Sequence, residues 1–495
     1  DAVIVPGCET LRKTTVERLS DFRAAGGKLI FMGDAPEYMD AVRSDAPSKL
    51  ASASERIEFS RSALLDALED VRDISVRNSN GTLTTNLLTQ LRSDGGCRWL
   101  FICQGTKPYS DDISSRQQID IVLRGLWRPE LWNTLDGSVS ATGFRCEGGR
   151  TYIVAGLYNH DSLLLKLLPA AEGDSYTAAS LKPEHVKEHS GLQIRHAEYT
   201  ADEPNALLLD ICRYRLDGAG IQGPEEVLRA DPAIRRALGW GPWGGGANQP
   251  WCMPDIPAEH TVEMSFDIVC RRGLSGAKLA LENAGITKIV LNGTPVTAGA
   301  DGWYTDRSIE TVPLPELPAG KSELVLTFPY GERTAAERVY LLGDFGVELK
   351  GSEAAITERP ADVGFGDLSE MGFPFYGGAF TYRFEFNTEE KNVEIRIPQY
   401  RAAVYEVSLD GEEPVTGAYA PYSTVFRGVS PGRHRAEVKI YLSRYNGFGR
   451  IHCADTKVAY PSPGYWRTSG DSWCYEYRLT EQGILSSPVI REFSD

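Results

Sequence analysis

The feature that most constrains this chain is its first thirty-three residues. Val3-Ile4-Val5-Pro6 is a buried-strand run, a helical pattern occupies 14–25, Gly26-Gly27 ends it, and Lys28-Leu29-Ile30-Phe31-Met32-Gly33 is a second strand. That is a parallel β-α-β unit, and a parallel sheet needs cover on both faces and more than two strands. The unit begins at residue 1, with no Met and no lead-in. The expectation is that further strands lie upstream and that the chain is the C-terminal part of a larger protein.

At 495 residues, length alone suggests three or four domains. The longest apolar runs, such as Leu163-Leu164-Leu165 and Ala206–Leu209, are far too short to span a bilayer, so no membrane partner is expected. A formal charge of −16 argues against nucleic acid, because phosphate binding needs a basic face. The nine cysteines are odd in number, scattered, and without metal-ligand spacing. This favours free thiols, a reducing compartment and hence a cytoplasmic location over a disulfide framework. No metal or other cofactor is expected.

Residues 1–95 read as α/β, with helices at 14–25 and Ser60–Leu68 and another at 85–93. From 96 to 200 the period switches to two: Arg98–Ile102, Ile119–Leu123, Thr151–Ala155 and Ser162–Leu168 are strands, and Asp136-Gly137 is a hairpin signal. Pro224-Glu225-Glu226 reads as a helix start, with a break at Asp231-Pro232, resumption to Leu238 and a stop at Gly239. Gly244-Gly245-Gly246 marks a loop. Residues 258–350 and 375–493 are β-rich and resemble each other. Val290-Leu291-Asn292-Gly293 matches Ser408-Leu409-Asp410-Gly411, and Pro318-Ala319-Gly320 matches Ser430-Pro431-Gly432. Two copies of one β-sandwich is the economical explanation.

Few motifs carry chemistry. Cys8, in the turn after the first strand, raises the question of a nucleophile, but no histidine lies near it in sequence. Glycoside hydrolysis needs two carboxylates flanking the sugar; Glu337, Asp344, Asp367 and Glu370 lie near aromatics, and turn or surface roles explain each as well. The stretch around Asn446, His452, Tyr465, Trp466, Arg467, Asp471 and Trp473 is dense in aromatic and planar polar groups. Rings stack on the apolar faces of sugars while planar polar groups take the hydroxyls. Two readings stand: a carbohydrate-contacting loop, or a packed loop tying this sandwich to a neighbour. Trp303 and Tyr304 form a weaker case of the same kind.

These residues carry a resemblance. Asp1–Gly33, with Phe22-Arg23-Ala24-Ala25-Gly26-Gly27-Lys28-Leu29-Ile30-Phe31, resembles the amidotransferase-like domain that follows the catalytic barrel in several glycoside hydrolases, the β-galactosidase trimerisation domain among them. Arg98–Gln104, Pro129-Glu130-Leu131-Trp132 with Gly137, and Asp161–Leu164 resemble the sandwich segment of α-L-rhamnosidase-type enzymes. The two later sandwiches resemble the galactose-binding-like domain of family-two glycoside hydrolases, and the Asn446-x-Phe448-Gly449 and Trp466-Arg467 segments resemble the tail of large bacterial glycosyl hydrolases. Sandwiches of this type often hold a structural Ca²⁺, and no cluster of oxygen ligands here demands one.

The resemblance implies a bacterial glycosidase whose acid/base residues sit in an upstream (β/α) barrel; no run of alternating βα units follows residue 95, so no catalytic residue is assigned. The expected fold is multidomain and mainly β. It comprises a partial α/β, flavodoxin- or amidotransferase-like domain at 1–95, a small β-sandwich at 96–200, a galactose-binding-like jelly roll with a helical insertion at 201–350, and a second at 351–495. The expected function is the accessory region of a glycoside hydrolase acting on plant or host glycans, rhamnoside before galactoside. Its partners are a carbohydrate substrate, the barrel in the same or a second chain, and a possible second copy of itself. The alternative is a non-catalytic carbohydrate-binding protein.

Overall fold

The computed structural model describes residues 1–107, 115–177, 184–189, 197–241, 256–455, 458–460 and 462–494. Statements of number or absence below concern those residues. Cys252 and the Gly244–Gly246 loop lie outside them. The chain divides into two units, Asp1–Leu181 and Lys182–Asp495. The fold is multidomain and mainly β, built from antiparallel sandwiches.

The first unit opens with a three-stranded parallel sheet in the order Ala2–Val5, Lys28–Met32, Glu55–Ile57. The strand Lys28–Met32 alternates strictly. Leu29 and Phe31 face helices α1 (Lys13–Ala24) and α2 (Ala46–Ser52) through Val16, Leu19, Leu50 and Ala51. Ile30 and Met32 face α3 (Arg61–Ala67) through Ala67, Leu64 and Leu68. Both faces of the central strand are therefore covered, as a parallel sheet requires. Ser60 caps α3 by accepting from the Ala63 amide at 3.2 Å.

The same unit continues into two five-stranded antiparallel sheets around Leu100, Ile102, Ile119, Ile121, Ile153, Leu165 and Leu167. Here the 85–93 helix gives way to a strand, Leu87–Asp94, paired with Cys97–Gln104 across Gly95-Gly96. Both glycines have positive φ, 52° and 92°, which makes the tight hairpin possible. Leu87 and Leu91 pack on the core while Leu88 is exposed, so period two wins over a short helical pattern.

The second unit holds two sandwiches of the same design. One has a sheet ordered Gln222–Glu226, Ile211–Leu216, His260–Cys270, Gly320–Tyr330, Lys288–Leu291, Thr294–Pro295. The other has a sheet ordered Glu198–Ala201, Ala379–Thr388, Gly432–Tyr441, Val404–Leu409, Val415–Gly417. The facing sheets match as well: Asn205–Leu209, Val339–Gly343, Lys278–Glu282, Asp306–Pro313 against Glu184–His189, Val489–Ser494, Asn392–Arg396, Ser423–Arg427. The order shows that the sandwiches are nested. Strands Glu184–His189 and Glu198–Ala201 open the outer sandwich, the chain then builds the whole inner one, and Ala379 resumes the outer. The entry is pinned by Glu203, whose carboxylate accepts from both terminal guanidinium nitrogens of Arg444.

The matched Asx-Gly turns have the same chemistry. Asn292 (φ 49°) with Gly293 (φ 76°), and Asp410 (φ 52°) with Gly411 (φ 81°), are left-handed pairs. Each Asx side chain accepts from a backbone amide of the neighbouring long strand, Glu323 at 2.9 Å and Arg435 at 2.8 Å. Both glycines have open space where a Cβ would sit, so Gly293→Ala and Gly411→Ala test backbone strain alone. Each is expected to destabilise the second unit by about 1 kcal/mol, read as equal downward shifts in the urea midpoint.

Candidate functional site

The site grows from one helix. α4 (Val227–Ala237) follows an edge strand whose Pro224 is part of the strand, so the helix starts at Val227 and not at Pro224. It runs through Pro232 without a break and ends at Gly239, φ 74°. Val227, Ala230 and Ile234 are buried in the core of the inner sandwich, and Leu228 is buried as well. Arg229, Pro232, Ala233 and Arg236, spaced i, i+3, i+4 and i+7, form the opposite stripe and line a cleft of about 540 Å³. The other wall is the outer sandwich's long C-terminal loop, Ser462 to Ser469, with Tyr465 and Arg467; Tyr214 and Glu225 complete the lining. A small-molecule cleft occupies about 300–1,000 Å³, so this one is of ligand size.

The loop is held by charges buried under the cleft. His452 and Asp210 are 1% exposed each, with Nε2 and Oδ2 2.9 Å apart. The other ring nitrogen donates to the Cys474 carbonyl at 3.1 Å, and the Tyr477 hydroxyl donates to Asp210 at 2.9 Å. Arg338 adds a second tie, 3.2 Å from Glu226 and donating to the Gly449 carbonyl at 2.9 Å. Tyr340 donates to the Gly447 carbonyl at 3.2 Å. Burial pushes the Glu226 carboxyl up to about 7 against the opposing charge of Arg338. Asp231, fully buried on α4, accepts from Tyr330 at 2.6 Å and from the Ala336 amide at 3.0 Å.

The structure distributes the residues singled out from sequence. Tyr465 is exposed and Arg467 half-buried, and both line the cleft. Trp473 lies beneath it, between the His452 ring at 5.1 Å and the Arg229 guanidinium at 4.5 Å. Asn446 is 1% exposed and bonded entirely to Thr480, at 2.9–3.0 Å. Trp466 donates to the Tyr460 carbonyl at 2.9 Å, and Asp471 is exposed on a short turn. Trp303 is exposed outside the cleft lining. Tyr304 is buried against Tyr340 and Phe448. Arg229, Arg236, Tyr214 and Glu225 were not singled out, although the i, i+7 arginine spacing on a helix with one apolar face was there to be read.

Two other cavities bear on chemistry. Glu337 has its carboxyl pushed up to about 7 by burial and by neighbouring Glu282, and both line a cavity of only about 40 Å³. That is room for water and not for a sugar ring. In the first unit, Gly7, Cys8, Glu9, Asp34 and Glu37 line a cleft at the carboxyl ends of the parallel strands. Burial raises the Cys8 thiol, which opposes thiolate formation. Among the described residues no three His, Cys, Asp or Glu side chains cluster to hold a metal, and no helix is long and apolar enough to cross a membrane.

No family model and no curated protein matches the chain. Among solved structures it is similar to a rhamnosidase from Novosphingobium sp. PP1Y, at 13% identity and TM-score 0.42, covering 99% of this chain and 33% of that one. It is also similar to an apo exo-carrageenase GH42 from Bacteroides ovatus, at 16% identity and TM-score 0.23 over 34% of this chain and 22% of that one. An exo-beta-1,3-galactanase from Phanerochaete chrysosporium matches at 10% identity and TM-score 0.12, covering 54% of this chain and 62% of that one. The chain thus spans about a third of the rhamnosidase's length. At these scores the likenesses assign no residue a role.

Removing His452 takes from the buried Asp210 carboxyl one of its two side-chain partners and leaves Tyr477. His452→Ala is expected to cost about 3–5 kcal/mol and to accelerate amide exchange across 445–477 above all. Glu337 gives a pH test. Its raised value means the folded state binds more protons than the unfolded chain between the ordinary 4.5 and about 7. Stability therefore falls as pH rises through that window and levels off above it. Glu337→Gln is expected to remove on the order of 1–3 kcal/mol of that fall, measured by urea unfolding at the two ends of the window.

Proposed function

We propose that this chain is the saccharide-contacting, non-catalytic region of a glycoside hydrolase, with the catalytic (β/α) barrel outside this sequence. The observation that carries the reading is the cleft between α4 and residues 462–469. It has ligand size, two tyrosine rings and a set of guanidinium donors, which is the mixture that sugar binding needs. Tyr465 and Tyr214 supply ring faces, and Arg467 and Arg229 donate to hydroxyls. Asn446, His452 and Trp473 hold the loop that presents them.

The cleft's chemistry favours binding over hydrolysis. Hydrolysis requires two carboxylates about 5–10 Å apart across the sugar. Glu225 is the one carboxylate among the described lining residues, and it is 3.5 Å from Arg229. The acid pair Glu282 and Glu337 faces a cavity too small for a sugar. The barrel itself rests on the resemblance of Asp1–Gly33 and Arg98–Leu164 to hydrolase accessory domains. Tyr465 is exposed and free of the buried ties, so Tyr465→Ala should leave the fold intact. Calorimetric titration against a panel of neutral and acidic oligosaccharides is expected to show binding by the natural chain and at least a ten-fold loss in Tyr465→Ala, since a stacked ring contributes about 1 kcal/mol or more. Equal binding by both would overturn this placement of the sugar.

A further inference from the structure

We propose that the cleft selects a saccharide bearing an anionic group, a carboxylate or a sulfate, and that Arg236 and Arg467 receive that group. The inference rests on the saccharide reading above and names its substrate class. The starting point is a contrast of charge. The chain carries 68 acidic and 52 basic residues, a formal −16. Yet the described lining of this cleft holds three arginines, Arg229, Arg236 and Arg467, against one carboxylate, Glu225.

The arginines differ in how far they are already matched. Arg229 is paired with Glu225 at 3.5 Å and lies over the Trp473 ring at 4.5 Å. Arg467 has Asp231 Oδ2 as its ion-pair partner at 3.9 Å, beyond hydrogen-bond reach; the close bonds from Tyr330 and Ala336 both go to Oδ1, and Oδ2 has no hydrogen-bond partner among the described residues. The Arg467 Nε is buried without a hydrogen-bond partner among the described residues, and a buried unmet donor is costly. Arg236 is exposed in the last turn of α4 and makes no ion pair among the described residues. The negative end of the helix dipole favours its charge there without neutralising it.

A neutral sugar can accept hydrogen bonds from these guanidinium groups but brings no counter-charge. An anionic sugar brings both, and a charged acceptor binds a guanidinium roughly twice as strongly as a neutral one. The choice of arginine matters too. The guanidinium fork matches a carboxylate or sulfate with two parallel hydrogen bonds, which an ammonium cannot do, and no lysine lines the cleft. Tyr465 and Tyr214 then face the sugar ring while the two cations take its charged substituent.

The test is calorimetric titration of the full chain with a trigalacturonide, a sulfated galactotriose and a neutral galactotriose, at low and moderate salt. The expected result is that one or both anionic ligands bind at least ten-fold tighter than the neutral one, with affinity falling as salt rises. The ligand that binds identifies carboxylate or sulfate as the source. Arg236→Gln, exposed and outside the buried ties, should weaken anionic binding about ten-fold and neutral binding far less, and Arg236→Lys should restore only part. Equal affinity for neutral and anionic ligands, or anionic binding that Arg236→Gln leaves intact, would overturn the inference while the saccharide reading stands. No binding of any of the three ligands would remove both.

Discussion

The second unit depends on a buried side-chain hydrogen bond that water does not reach. Asp210 belongs to the inner sandwich and His452 to the long loop of the outer one, and they meet 2.9 Å apart with almost no exposure. Such a pair is a weak source of net stability, but losing either partner leaves a buried polar group without its mate. The Tyr477 hydroxyl and the Cys474 carbonyl complete its hydrogen bonds. The Arg338–Glu226 contact repeats the arrangement, and Arg338 also reaches the Gly449 carbonyl. Together these bonds tie residues 447–452 and 474–477 to the inner sandwich, and residues 462–469 between them form one wall of the cleft.

Nesting makes the arrangement possible. The chain lays down Glu184–His189 and Glu198–Ala201 before the inner sandwich and completes the outer one afterwards. Two chain crossings therefore join the copies, one pinned by Glu203 and Arg444 and the other by Tyr199, which donates to the Pro360 carbonyl and stacks on Phe380 at 4.9 Å. A cleft formed between α4 and a loop more than 200 residues later in the chain needs this double attachment to keep its walls in register.

Local chemistry was the part of this molecule legible in its sequence. The Asn292-Gly293 and Asp410-Gly411 turns, the Gly26-Gly27 helix end, the Ser60 cap and the Gly239 stop all follow from backbone preferences that need no tertiary information. The matched turns also exposed the likeness of the two sandwiches. What could not be read were choices made at a distance. Leu87–Asp94 is a strand because Cys97–Gln104 pairs with it. Glu198–Ala201 joins Ala379–Thr388, almost 200 residues away. Pro232 looked like a helix breaker, yet burial of α4 in the inner sandwich carries the helix through it. The aromatic tail showed as unusual, but composition could not separate Asn446 and His452, which face the interior, from Tyr465 and Arg467, which line the cleft. Arg229 and Arg236 were missed because their meaning depends on the loop opposite.

The account places the proposed saccharide contact on surfaces that the buried pairs hold and that no paired carboxylates serve. The most direct test of that placement is hydrogen–deuterium exchange of the full chain with and without a saturating oligosaccharide ligand. The account predicts new protection concentrated in 225–236 and 462–469, with the interior amides around Asp210 and His452 already slow and unchanged. Protection confined to the parallel-strand cleft around Cys8, or to sandwich faces away from α4, would contradict it.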